Sequence, residues 1–368
     1  MRSRRAISPR GAELPQPSLL ALMLLPMFAC GPRKNDVPGA DPATAVGTHS
    51  VSAVPHSAGP HGAAPTSPLS PNQKSPSRRL TSMADYQRAG LLTIAEARTF
   101  MLLLVNRDRA TQKLPPVALD DGAPTLAATR HSTDMASKGF LGHIGTDGSV
   151  PEERFAEAGG VGFVMENAAC VVDESVRALD PRARELHVPV VNAEDVEKTE
   201  SMYFNEVPPN DGHRRNILRP SHVRVGIGIA VAMAPNEIVM PCITQEFVTD
   251  MIAWSSLPTL APRNVPTTFK GVGRGTPVKG LGFVRLPDRK PMSVREANGV
   301  RSYLIPRPSE IFFPKGYKTR IPLKVSPDGT FEFTQVFDKP GRWEVSVWGP
   351  SSTAGELEIV GLHFFKVE

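Results

Sequence analysis

The spacing of hydrophobic residues changes along the chain and separates a helical part from a strand-rich part. In TIAEARTFMLLLVNRDR apolar residues recur every three to four positions, and Thr93 and Glu96 have the spacing of a helix capping box. Further helices are predicted at PTLAATRHSTDMASK, which Gly139 ends, and at PEERFAEAG, NAEDVEKTESMYFNE and DGHRRNIL. Pro208 and Pro209 separate the last two.

Three apolar runs predict strands between these helices. They are GFVMENAACVV, VRVGIGIAV and EIVMPCITQEFVT, and the second has branched residues at alternate positions, namely Val223, Val225, Ile227 and Ile229. Helices on both faces of a small sheet make an α-β-α sandwich. The fold class is therefore α+β, and we expect this first domain to span residues 86–255.

Helical periodicity ends before residue 262. Residues 262–368 contain short alternating runs separated by Pro, Gly and Asp turns, which predict about seven strands in an immunoglobulin-like β-sandwich. The inter-sheet disulfide usual in that fold is absent, since no cysteine follows Cys242. Trp343, Val345 and Val347 share one face. Trp348 points the other way, either as a ligand contact or as a packed edge.

The first 30 residues have the layout of an export signal. Four arginines precede an apolar run from Leu19 to Ala29 that is too short to span a membrane. The run ends in MFAC, which resembles a bacterial lipobox in which Cys30 receives the lipid; ordinary export with cleavage near Ala29 is the alternative. Gly31 follows in place of the aspartate that retains such lipoproteins at the inner membrane, which favours the outer membrane over a periplasmic or secreted location.

Residues 31–85 predict a disordered tether. Positions 31–80 hold nine prolines and no Phe, Trp or Tyr, so they lack the apolar surface that a folded core needs. Removal of the first 29 residues lowers the formal charge from +5 to +2, because they carry four arginines and one glutamate. Nucleic acid is therefore not expected as a partner.

The remaining cysteines are Cys170 and Cys242. In an oxidising compartment they form a disulfide if their Cα atoms lie within about 7 Å. Two buried thiols acting as small apolar residues are the alternative.

Five sequence segments, several of which contain candidate functional residues, follow one another in this order: HSTDMASKGFLGHIGTDGSVPEERFAEAG, ENAA, YFNE, GHRRNIL and VGIGIA. Together, from about Leu91 to Thr249, they resemble the CAP superfamily of cysteine-rich secretory, antigen 5 and pathogenesis-related proteins. The resemblance implies a shallow cleft faced by four residues, hereafter the tetrad: His143, Glu166, Glu206 and His213. Tyr203 stands where the family usually has tryptophan, before Glu206. Asn167 and Asn216 are expected to tie loops to the backbone.

The tetrad residue types suit one another in two ways. His143 and His213 supply neutral nitrogens for zinc or a similar divalent cation, while the glutamates orient ligands or a bound water. Alternatively, each imidazole hydrogen-bonds a carboxylate without metal, in a purely structural role.

Motifs of known hydrolytic mechanisms, such as H-E-x-x-H and G-x-S-x-G, are absent from the sequence. We therefore favour the hypothesis that the protein is not an enzyme. In this hypothesis it is a membrane-anchored envelope protein that binds a lipid, glycan or protein partner through the cleft. A metal-assisted hydrolase, with Glu166 or Glu206 as general base, and a structural envelope protein are the alternatives.

Overall fold

The computed structural model of the chain describes residues 79–171, 190–233, 239–300, 302–351 and 355–368. The predicted signal peptide, the lipidation of Cys30 and the tether up to residue 78 lie outside the described residues. Ser82–Glu368 belongs to one compact unit. Its helix-containing first part and its strand-rich second part are hereafter the first and second domain.

The described helices are α1 (Met83–Ala89), α2 (Ile94–Thr111), α3 (Ala123–Lys138), α4 (Pro151–Glu157), α5 (Ala193–Phe204), α6 (Gly212–Ile217) and α7 (Val294–Gly299). Thr93 and Glu96 form the predicted capping box of α2, and Gly139 ends α3 in the left-handed conformation. Helices α1 and α7 were not predicted, and α7 lies in the part of the chain that was expected to be all β. Each has a capping box as its signal, from Ser82 to Asp85 and from Ser293 to Glu296.

The strands of the first domain are β1 (Leu91–Thr93), β2 (Ala118–Leu119), β3 (Phe163–Cys170), β4 (Val190–Asn192), β5 (His222–Met233) and β6 (Val239–Thr249). Those of the second are β7 (Ile252–Ser256), β8 (Leu260–Ala261), β9 (Pro266–Gly273), β10 (Gly280–Arg285), β11 (Glu310–Phe312), β12 (Lys324–Val325), β13 (Thr330–Val336), β14 (Gly341–Pro350) and β15 (Leu357–Val367).

A four-stranded sheet in the order β2-β5-β6-β3 forms the centre of the first domain, so β3 is an edge strand. On one face the Ser132 hydroxyl of α3 donates to Thr244 of β6. On the other face the next residue of β6, Gln245, contacts Met101 of α2 and Glu200 of α5. Neighbouring strand residues point to opposite faces. Helices therefore cover both faces, and the predicted α-β-α sandwich and α+β class are confirmed.

Two glycines of β5 let α3 lie directly on the sheet. A Cβ added at Gly226 would lie 2.2 Å from the carbonyl carbon of Pro124, and one added at Gly228 would lie 2.1 Å from that of Ala128. No side chain fits between this strand and the helix backbone. The glycines of VGIGIA are thus required by the packing of α3.

The predicted alternation of β5 is interrupted at its start. Val225, Ile227 and Ile229 are buried as expected, but Val223 is 48% exposed. The register between β5 and β6 shifts between His222 and Arg224, and this irregularity turns Val223 away from the buried face.

The second domain consists of two packed sheets. One has the order β11-β10-β14-β15-β8 and the other the order β12-β13-β9-β7. The core between them is rich in phenylalanine and includes Phe269, Phe283, Phe312, Phe331, Phe333, Phe337 and Phe365. Strand β7 pairs with β9, so the first strand of this domain comes from residues that the sequence pattern had grouped with the first domain.

Trp348 joins the two domains. Val345 and Val347 face the core of the second domain. Trp348 is also buried, but it belongs to a separate cluster with Phe163 of β3 and Leu362 of β15. Of the two predicted roles for this outward tryptophan, the structure shows a packed contact. It is made with the first domain.

Cys170 and Cys242 are directly opposed on β3 and β6. Their Cα atoms are 4.0 Å apart, and the two residues form a disulfide. The bond ties the edge strand to its neighbour. None of the described helices combines the length and the apolarity that a membrane span needs.

Gly228→Ala tests the close approach of α3. We expect it to lower the free energy of unfolding by about 2–3 kcal/mol, since the new methyl group must displace a helix backbone. Gly299→Ala is the matched control, because a Cβ there meets nothing within 4 Å. It should change stability by less than about 1 kcal/mol. Urea unfolding followed by circular dichroism measures both, and equal effects would contradict the packing argument.

Candidate functional site

The first half of the site lies at the edge strand β3. Glu166 of β3 accepts a hydrogen bond from Nδ1 of His143, at 2.8 Å. His143 lies in the glycine-rich loop between α3 and α4. The carboxylate of Glu166 therefore fixes the orientation of an imidazole ring that lies in a glycine-rich loop.

Arg154 of α4 secures this half. One of its guanidinium nitrogens donates to the other oxygen of Glu166 at 2.6 Å, and the guanidinium also donates to the backbone carbonyls of His143 and Ser149. Arg154 and Glu166 thus form an ion pair in which both side chains are buried.

The second half comes from the segment between α5 and α6. Glu206 accepts from Nδ1 of His213 at 2.7 Å and from the backbone N–H of the same residue at 2.8 Å. Pro208 and Pro209 stop α5 from continuing. The chain reverses, so the two ends of this segment meet as predicted.

The two halves meet around β3. The ring centroids of His143 and His213 are 6.1 Å apart. Tyr203 lies against His213, with ring centroids 4.8 Å apart, and its hydroxyl donates to the carbonyl of Ile243. All four members of the tetrad are thus brought together. Tyr203 packs against the histidine ring in the place where the family usually has tryptophan.

The asparagines predicted as supports connect the halves. Asn216 donates to the carbonyl of Glu166 and to the side chain of Asn167. Asn167 in turn donates to the carbonyl of His213 and to Gln245. Each half is therefore bonded to the backbone of the other through these amides.

The tetrad is less accessible than a shallow cleft implies. His143 is 3% exposed, Glu166 3% and His213 4%. Part of this burial comes from the second domain, because Tyr303 lies against His143 with ring centroids 6.0 Å apart. Its hydroxyl donates to Glu152 of α4. Sequence reasoning missed Tyr303, since no local pattern shows which domain covers the site.

The electrostatics of Glu166 favour its ionised form. Burial raises the pKa of this carboxyl, but His131, Arg154 and the hydrogen bond from His143 outweigh burial and hold the pKa below its usual value. Burial lowers the pKa of His131 to about 4, so this neighbour is neutral at pH 7. Arg154 is therefore the permanent positive charge beside Glu166.

Glu246 is a second carboxyl that sequence reasoning missed. It lies directly across from Glu166 in the pairing of β3 and β6. Burial and the charge of Glu166 raise the pKa of Glu246 well above the usual range. The available signal was a carboxyl inside the apolar run EIVMPCITQEFVT, the same signal that marked Glu166.

The histidines have the chemistry of metal ligands. Burial lowers the pKa of His213, against the opposing effect of Glu206, so the ring is neutral at pH 7. Because the carboxylate of Glu206 accepts from Nδ1, the lone pair is on Nε2. That atom is buried and has no hydrogen-bond partner within the part of the chain that the structure describes. An orphaned ring nitrogen of this kind fits a metal ion.

His143 is oriented by Glu166 in the same way, which makes the two rings a matched pair. The described residues contain no group of three or more His, Cys, Asp and Glu side chains arranged around one ion. The pair therefore fits two ligand positions of a divalent cation, with the others left to water or a bound ligand.

Comparison with known protein families matches part of the first domain. Residues 102–243 match the model of the cysteine-rich secretory protein family, CAP. No curated protein matches the chain. The predicted family resemblance is confirmed over the matched residues.

Two solved structures are similar at low identity. An extracellular protein containing an SCP domain from Bacillus anthracis str. Ames is 19% identical, covering 47% of this chain and 45% of that chain, with a TM-score of 0.30. The chain thus spans less than half the length of that protein. An outer surface protein from Borrelia burgdorferi is 12% identical, covering 44% of this chain and 99% of that chain, with a TM-score of 0.31.

Glu166→Gln tests the buried ion pair. It leaves the Arg154 charge buried without a partner, so we expect a loss of about 3–5 kcal/mol in the free energy of unfolding at pH 7. Glu206→Gln is the comparison variant, since its side chain is 15% exposed and faces a neutral histidine. It should cost about 1–2 kcal/mol.

The same variant has a predicted pH dependence. The folded-state pKa of Glu166 is depressed below 4.5, so its contribution is complete above pH 4.5 and is lost as the pH falls towards the folded pKa. The stability difference between wild type and Glu166→Gln should therefore shrink below about pH 4.5. Unfolding curves from pH 3 to 7 measure this, and a constant difference would contradict the assignment.

Proposed function

We propose that this chain, whose residues 102–243 form a CAP domain, is an exported binding protein of the cell envelope that holds a divalent cation between His143 and His213. The unpartnered, buried Nε2 of His213 is the observation that carries the proposal. A neutral imidazole whose other nitrogen is held by a carboxylate is the usual form of a metal-bound histidine. The cation would supply a site to which a ligand donor atom or water binds.

The engagement of the carboxylates favours recognition over hydrolysis. Both oxygens of Glu166 are bonded, one to His143 and the other to Arg154. Both oxygens of Glu206 are bonded to His213. A general base needs a lone pair directed at a water molecule, and these carboxylates instead hold the rings in place.

The serines of the domain support the same view. The Ser132 hydroxyl is hydrogen-bonded to the carbonyl of Gly228 and to the hydroxyl of Thr244, and the hydroxyl of Ser149 donates to Asp147. Ser201 accepts from Asn205. These three hydroxyls are bonded away from the two site histidines, so none of the three is placed as a nucleophile beside a histidine base.

Export and anchoring rest on the N-terminal sequence. The basic start, the short apolar run and MFAC support lipidation at Cys30, and the proline-rich segment after it would hold the folded body away from the membrane. The family match is in keeping with an exported protein. We place the chain at the outer membrane, facing a lipid, glycan or protein ligand of the envelope.

Zinc titration of the purified full chain by calorimetry tests the cation site. We expect one bound ion near neutral pH and at least about a hundredfold weaker binding in His143→Gln/His213→Gln, because both ring ligands are lost. Glu206→Gln should weaken binding about 10–100-fold by releasing the orientation of His213. The matched control is His222→Gln, since His222 is also buried with an unpartnered Nε2 but belongs to β5, outside the tetrad.

Absence of zinc binding to the wild type, or equal binding by the double variant, would contradict the cation site. Cation-dependent binding to phospholipid vesicles or to purified peptidoglycan, without turnover of peptide, ester or glycan substrates, would support recognition. Turnover that the double variant loses would instead establish a metal-assisted hydrolase. Equal loss of stability in the double variant with and without zinc would favour a structural tetrad.

Cys30→Ser tests the anchor. In bacterial cells that process lipoproteins, the wild type should incorporate radiolabelled palmitate and sediment with membranes, whereas the variant should do neither, because the acyl chains are its membrane contact. Cys170→Ser is the control and should keep the label. Unlabelled wild type in a soluble fraction would show ordinary export instead.

A further inference from the structure

A cavity of about 480 Å³ lies between the two domains, and the tetrad does not line it. Its walls come from the loop before α4, from α4 itself, from the connections at 286–290 and 303–306, and from the outer face of β14 and β15. The rim residues Asp288, Lys290 and Leu304 are exposed, so the cavity reaches solvent. The volume is in the range of small-molecule sites, about 300–1,000 Å³.

Glu344 is the unusual group in this cavity. It is 1% exposed, and neither of its carboxyl oxygens has a hydrogen-bond partner among the residues that the structure describes. Trp348, four residues later in β14, lies on the same outer face of the strand. Burying a carboxyl group without a hydrogen-bond partner lowers the stability of the protein. A ligand that donates a hydrogen bond to this group removes that penalty and binds more tightly as a result.

Glu152 provides a second carboxyl in the same cavity. It is buried, and one oxygen accepts from the Tyr303 hydroxyl at 2.8 Å. Arg154, the next residue but one along α4, has its charge engaged by Glu166. Glu152 and Glu344 therefore face the cavity without a dedicated positive partner.

The two arginines that line the cavity already pair with glutamates of the protein. Arg289 donates to Glu153 at 2.7 Å and is paired with Glu157. Arg342 is paired with Glu153 and donates to the carbonyl of Pro287. These cations are neutralised within the protein. Lys290 lies at the exposed rim, where water screens its charge. Among the buried lining groups, those without an ionic partner are the carboxyls of Glu344 and Glu152, which suit a cation and not an anion.

The rest of the lining is largely apolar and includes Ile144, Val150, Leu286, Ile305 and Phe364. A bare metal ion would gain nothing from such walls, and the described residues hold no group of three metal-ligating side chains here. An organic cation uses both features, because its hydrocarbon part buries apolar surface and its charge meets the carboxyls.

We propose that this cavity binds a small organic ammonium compound, whose N–H groups donate to Glu344 and Glu152 and whose hydrocarbon part packs on the apolar walls. Burial, with a smaller effect of Glu152, raises the pKa of Glu344 well above its usual range. Burial likewise raises the pKa of Glu152 to about 7. A bound ammonium group would compensate both carboxylates. The site is separate from the proposed cation site of the tetrad.

Calorimetric titration of the chelator-treated full chain with benzylammonium chloride tests the proposal. We expect saturable 1:1 binding, and benzyl alcohol, which has the same ring without the charge, should bind at least about tenfold more weakly. Glu344→Gln and Glu152→Gln should each weaken benzylammonium binding at least about tenfold, because each removes one carboxylate and keeps the side-chain shape.

Glu358→Gln is the matched control, since Glu358 lies on the neighbouring strand β15 and pairs with Arg219 outside the cavity. It should leave the affinity unchanged, and thermal unfolding verifies that all three variants fold. The proposal is overturned if the wild type does not bind benzylammonium saturably, if both cavity variants bind like the wild type, or if benzyl alcohol binds equally well. Because metal is removed, failure of the zinc site would not affect this result.

Discussion

A buried ion pair between Arg154 and Glu166 holds the site in its observed form. Arg154 also binds the carbonyls of His143 and Ser149, so a single side chain determines the path of the loop and the ionised state of the glutamate. The pair need not add net stability, since burying two charges is costly. Loss of either partner would leave the other charge buried and unpaired. Both partners also contribute to the orientation of His143.

The position of β3 at the edge of the sheet explains how the two histidines meet. Glu166 and Asn167 are adjacent in β3 and point to opposite faces, so the strand bonds His143 on one side and the carbonyl of His213 on the other. A central strand would have another strand beside it at this place. The disulfide from Cys170 to Cys242 ties this edge strand to β6.

The second domain is part of the environment of the site and not a distant spacer. Trp348 packs on Phe163, and Tyr303 contacts both His143 and Glu152. Access to the tetrad and the shape of the interdomain cavity therefore depend on the same contact between domains. Tyr303 thus links the surroundings of His143 to the packing of the two domains.

Much of the fold could be predicted from local patterns, because each pattern depends only on residues within one helix, strand or turn. The capping box of Thr93, the left-handed Gly139 and the proline pair after Glu206 identify helix ends through backbone geometry that neighbouring residues determine. Carboxyls inside apolar strands marked Glu166 in the same way. The sequence by itself thus determined helices α2 to α6, the central strands, the CAP resemblance and the members of the tetrad.

Only the tertiary structure decided what lies against each face. Alternation shows that Trp348 and Glu344 point away from the core of their own domain, but it does not show that the CAP domain covers them. The register shift that exposes Val223, the pairing of Glu246 with Glu166 and the position of Tyr303 over His143 likewise join residues far apart in sequence. Periodicity reports the two faces of one element, whereas burial and charge at a site depend on which other elements pack there.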